Sequence, residues 1–81
     1  PTTGPIALRF ELPSEARTVL SIFDVQGRRV AVLLDEILPA GSHSLDWDGR
    51  NTQQVQLARG LYYVQLTTPG ERRVQKVVLL Y

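Results

Sequence analysis

The segment Ile6-Ala7-Leu8-Arg9-Phe10-Glu11-Leu12 alternates apolar and other side chains without a break, and the same two-residue period returns over residues 61–67. A period of two sends successive side chains to opposite faces of an extended chain, so each segment reads as a half-buried strand. No segment shows the three-to-four-residue spacing of an amphipathic helix, and no helix is expected.

The rest of the chain fits the same pattern. Residues 18–25 are rich in β-branched and aromatic types, with Leu20 and Ile22 on one face and Val19, Ser21 and Phe23 on the other. Asp24-Val25-Gln26-Gly27 reads as a turn in which Gly27 supplies a positive φ, and residues 28–34 return as the partner strand. Residues 35–42 read as a connection punctuated by Pro39-Ala40-Gly41, and residues 43–47 alternate again. A turn region at 48–54 is followed by a short edge strand at 55–57. In residues 61–67, Tyr62, Val64 and Leu66 share one face and Leu61, Tyr63, Gln65 and Thr67 the other. Thr68-Pro69-Gly70-Glu71 forms a hairpin loop, and residues 72–80 make the last strand. About seven short strands with regular turn signals predict an all-β antiparallel sandwich.

Length limits how that sandwich is held together. At 81 residues the chain is one domain, near the smallest size at which an apolar core suffices without staples. It has no cysteine, which removes disulfides and thiolate zinc sites, so packing must supply the stability. Apolar residues at 43% and charged residues at 21% are ordinary for a globular fold. Nine basic and eight acidic residues leave a net charge of +1, too balanced to steer nucleic acid or an anionic membrane. The apolar run at 77–81 is far too short to cross a bilayer, and no basic-then-apolar leader opens the chain, so no transmembrane segment is expected. The chain opens at Pro1 and lacks methionine, which suggests a module cut from a longer polypeptide.

Two neighbouring stretches mark a sandwich corner. Trp47-Asp48-Gly49-Arg50-Asn51 sets the only tryptophan against a tight polar turn, and Leu57-Ala58-Arg59-Gly60-Leu61-Tyr62-Tyr63 reopens a strand with an aromatic pair. Trp47, in phase with Leu45, and Tyr62 are assigned to the core, and Gly27, Gly49 and Gly60 to turns.

These blocks also carry a family resemblance. Asp24-Val25-Gln26-Gly27-Arg28-Arg29-Val30, Leu38-Pro39-Ala40-Gly41, Trp47-Asp48-Gly49-Arg50-Asn51, Gly60-Leu61-Tyr62 and Lys76-Val77-Val78-Leu79 resemble the successive blocks of the FlgD-type Ig-like domain. That family is similar to the carboxy-terminal sorting domains of proteins exported by the bacterial type IX secretion system. The resemblance spans residues 6–80 and implies an Ig-like or fibronectin III-like sandwich. Two departures stand out. Thr2-Thr3-Gly4-Pro5 replaces an Asn-Pro opening, and Gln54 occupies a position usually held by glycine.

The resemblance implies a non-catalytic module at the carboxy end of a secreted bacterial protein, acting in export sorting or attachment at the outer cell surface. Its partner would be secretion machinery or a surface component. The final hairpin would be the recognition element, with Arg72, Arg73 and Lys76 offering charge and the strand edge offering backbone hydrogen bonds. A chain ending at Tyr81 fits a natural carboxy terminus. The alternatives are a carbohydrate-binding or assembly module accessory to a secreted hydrolase, and the Ig-like part of a flagellar hook-cap scaffold.

Several other residues offer candidate sites. Tyr63 and Phe23, on the phase opposite the core, suggest a small contact patch for a glycan or a neighbouring subunit. Trp47 is a second sugar-stacking candidate, with a core role the stronger reading. Asp46, Asp48 and Asn51 offer oxygens within six residues, but the glycine spacing is wrong for a calcium loop, and self-capping of the turn is favoured. His43 lies between serines that project to the other strand face, so it reads as a solvated strand residue without a dyad partner. The carboxylates are scattered, which leaves no case for acid–base catalysis. Arg28-Arg29 and Arg72-Arg73 form a basic patch only if their hairpins are neighbours. No enzyme activity, cofactor, metal or nucleic-acid partner is expected.

Overall fold

The computed structural model describes residues 5–80; Pro1, the Thr2-Thr3-Gly4 lead-in and the terminal Tyr81 lie outside them. Six strands form: β1 (Ile6–Leu12), β2 (Ala16–Phe23), β3 (Arg29–Leu38), β4 (Gly41–Trp47), β5 (Gly60–Thr68) and β6 (Glu71–Leu79). They build two antiparallel sheets, one of β1 and β4 and one in the order β3-β2-β5-β6. The chain changes sheet at residues 13–15, 39–40 and 48–59, so its non-hairpin connections wrap the ends of a sandwich. The described residues contain no helix, hence none long and apolar enough to cross a membrane.

Alternation decides which side chains meet between the sheets. Leu20 and Ile22 of β2, Tyr62, Val64 and Leu66 of β5, and Val77 and Leu79 of β6 are buried against Leu8 of β1 and Trp47 of β4. Trp47 and Ile22 are among the largest fully buried side chains. Each such apolar side chain contributes on the order of 1.5–3 kcal/mol by leaving water. Thr18 is also fully buried on the inner phase, where its hydroxyl donates to the Ala16 carbonyl at 3.1 Å and is thereby satisfied.

Several boundaries differ from the sequence reading, β4 among them, which begins at Gly41 rather than at residue 43. The expected edge strand at 55–57 is reduced to an isolated bridge between Arg50 and Gln56. That segment bonds to itself instead, Asn51 N–H to the Val55 carbonyl, Gln54 N–H to Asn51 and Leu57 N–H to Gly49, which leaves nothing for a continuous ladder. The seven expected strands are therefore six. Strand β3 runs on to Leu38 through residues read as a connection, because β2 begins at Ala16 and pairs Arg17 with Ile37 and Val19 with Asp35. Its polar residues there point to solvent, which hides the strand from a hydrophobicity pattern. Finally, β2 stops at Phe23, where the Asp24 carboxylate takes over the hairpin.

Candidate functional site

The corner around Trp47 uses up its own polar groups. The indole N–H donates to the Arg50 carbonyl at 3.0 Å, and the Gln56 amide donates to the Gly49 carbonyl at 2.9 Å. Gly49 has φ +81°, which favours glycine, and a Cβ there would lie 2.9 Å from Gln56 Nε2 and 3.3 Å from Leu79, so a side chain would also displace the Gln56 amide. Gly60 opens β5 at φ +142°. Two residues on, the Tyr62 hydroxyl donates to the Ala58 carbonyl at 2.7 Å, and its ring meets Trp47 edge-on with centroids 5.8 Å apart. A tyrosine near the start of this strand tied to upstream backbone is the tyrosine corner of Ig-like sandwiches. Trp47 is 1% exposed and offers no ring face to a sugar.

Asp48, Asn51 and the histidine are likewise engaged locally. Asp48 Oδ1 accepts from Arg50 N–H, and Asn51 Oδ1 accepts from the N–H groups of Gln53 and Val55. Asp46 stands opposite Ala7 on β1. Among the described residues no three His, Cys, Asp or Glu side chains could hold a metal ion. The sequence reading of His43 as solvated needs correcting. It is half-buried, stacked on Phe10 at 5.4 Å, with Nε2 2.8 Å from the Pro39 carbonyl. A carbonyl only accepts, so Nε2 carries the proton in that contact. The cross-strand partner Phe10 brings the ring inward.

The two hairpins hold their charges differently. Asp24 accepts from the N–H groups of Gln26 and Arg28 and from the Arg28 guanidinium at 2.9 Å, which closes the Val25-Gln26-Gly27 loop with Gly27 at φ +84°. Those bonds, led by the Arg28 N–H, hold its carboxyl below the ordinary aspartate range. On β6, Arg73 grips Glu71 through two bonds of 2.9 and 2.8 Å, which lowers the Glu71 carboxyl in the same way. Arg73 pairs across strands with Leu66 on the inner phase. Arg72 and Lys76 stand on the opposite face, where Lys76 pairs with Tyr63 and Arg72 with Thr67. The final-hairpin cations are thus divided between faces. Nor do the two arginine pairs pool, because β3 and β6 are opposite edges of the sheet.

The outer face of the four-stranded sheet holds an alignment that sequence alone did not show. Arg29 pairs with Phe23, Phe23 with Tyr63 and Tyr63 with Lys76, so four residues form one row across all four strands. Phe23 and Tyr63 are half-buried and both cations are exposed. The two ring positions, Lys76 and Arg29 were each noticeable in the sequence, but the register that joins them depends on a bulge between Ile22 and Phe23.

A family model described as FlgD Ig-like domain matches residues 2–71. Among curated proteins and solved structures, none matches the chain.

Proposed function

Because the chain belongs to the FlgD Ig-like domain family, we propose that it is a non-catalytic module that directs a secreted bacterial protein through a type IX secretion system and holds it at the outer cell surface. The observation that carries the reading is β6. It is an edge strand of nine residues bonded only to β5, and its residues 71–76 are all exposed. An edge of that length presents unpaired backbone donors and acceptors to a partner strand. Val74 is 57% exposed, and Arg72 and Lys76 make no ion pair among the described residues, so side chains are also available to set specificity. The family match ends at Glu71, where β6 begins, so the cations of this strand are features of this chain beyond the matched segment.

Charge reversal tests the role of the strand without dismantling the core. A reporter carrying the module with Arg72→Glu and Lys76→Glu should reach the surface of a type IX-competent host far less than the parent fusion. The matched control, Arg9→Glu on the exposed phase of β1, should export normally. Equal export of all three fusions would remove β6 from the account.

A further inference from the structure

We propose that the outer face of the four-stranded sheet binds an acidic glycan, with Phe23 and Tyr63 beneath the sugar rings and Arg29 and Lys76 on its carboxylates. The row crosses three inter-strand gaps of about 4.8 Å, so the two cations stand about 14 Å apart with both rings between them. Phe23 and Tyr63 are direct cross-strand partners, yet neither is stacked on the other or on a cation. Both rings are only partly covered, which leaves ring surface for a ligand. Strand backbones and half-burial fix them, so little conformational entropy is lost when something settles on them.

Charge selects the class of ligand. The outer face carries four cations, Arg17, Arg29, Arg72 and Lys76, against one carboxylate, Asp35, which Arg17 already pairs at 2.9 Å. The remainder of the chain holds five cations and seven carboxylates, so a near-neutral protein presents one positive side. Arg29 and Lys76 have no acidic partner among the described residues. A chain in which uronic acids alternate with neutral sugars matches this arrangement. Its ring faces are apolar enough to lie on Phe23 and Tyr63, its hydroxyls can meet the free Tyr63 hydroxyl, and its carboxylates recur at intervals rather than on every backbone link. A nucleic-acid strand, with a phosphate at every nucleotide, would leave most of its charge over neutral positions here.

Calorimetric titration of the 81-residue chain with a hyaluronan oligosaccharide, in which glucuronate alternates with a neutral amino sugar, beside cello-oligosaccharide, polyglutamate and oligothymidylate, tests the site. The hyaluronan oligosaccharide should bind, more weakly as salt rises, and the other three should not. Arg29→Gln and Lys76→Gln should each weaken binding about tenfold, as should Tyr63→Ala, while Arg9→Gln on the other sheet changes nothing. The two glutamine variants alter exposed positions and keep the fold, so the test survives a destabilised Tyr63→Ala. Absence of binding, unchanged affinity in the glutamine variants, or equal binding of polyglutamate or oligothymidylate would overturn the proposal. Binding in solution does not involve secretion, so either reading can fail while the other stands.

Discussion

Tyr62 and Tyr63 are adjacent in sequence and opposite in role, and replacing each by phenylalanine separates the two. Tyr62 is 8% exposed and its hydroxyl donates to the Ala58 carbonyl at 2.7 Å, bracing the loop that returns to β5. Tyr62→Phe keeps the ring and its edge-on contact with Trp47, so only the hydroxyl is removed. A hydrogen bond of this kind has a net worth of about 1 kcal/mol. Ala58 is exposed, so water can satisfy its carbonyl and no large desolvation penalty adds to that figure. For a domain of this size, 1 kcal/mol shifts Tm by roughly 4–8 °C. Tyr63→Phe removes a half-exposed hydroxyl with no bond among the described residues and should stay within about 0.5 kcal/mol of the parent. Calorimetric melts of both variants decide the matter. Equal melting temperatures, or a larger loss for Tyr63→Phe, would refute the tyrosine-corner assignment.

Three further outcomes follow from local geometry. Gln54 holds φ +66°, a left-handed conformation costing a side chain about 1–2 kcal/mol; Gln54→Gly removes that strain, loses part of the gain to unfolded-chain entropy, and should raise Tm by a few degrees in the same melts. Gly49→Ala should lower stability by at least about 1–2 kcal/mol in urea titration, since φ +81° and the approach of Gln56 and Leu79 oppose a Cβ together. Asp24 and Glu71 both have folded carboxyls lowered by hydrogen bonds, so their contribution is present above the ordinary carboxylate range and disappears as pH falls through the lowered values. Melts from neutral pH down through the acid range should therefore show a smaller acid loss for Asp24→Asn than for the parent.

Much of this architecture is legible in the sequence because period-2 alternation is strict where one face is buried. Leu20 and Ile22, then Tyr62, Val64 and Leu66, lie inward as their spacing requires. The reading falters where the pattern is not driven by burial. Strand β3 continues through Asp35, Glu36 and Ile37, whose side chains are exposed although each residue stays in register with β2. The segment around Val55 looks apolar enough for a strand, but Val55 is 58% exposed in a loop held by Asn51. His43 looks solvated beside Ser42 and Ser44, yet strand alternation turns it inward onto Phe10.

Cross-strand register is set by bulges and turns that the hydrophobic pattern does not carry. Arg73 and Arg72 are neighbours in sequence and lie on opposite faces, one bound to Glu71 and the other in the solvent-facing set with Lys76. Arg29 meets Phe23 only because a bulge adds a residue to β3 beside Ile22. No composition statistic contains that shift.

The most direct test of the functional account is the location of a reporter carrying residues 1–81 at its carboxy end, expressed in a host with a type IX secretion system and in one lacking it. The account predicts reporter at the surface of the competent host and retention in the other. Retention in both hosts, or equal surface display in both, would contradict a sorting role for this Ig-like module.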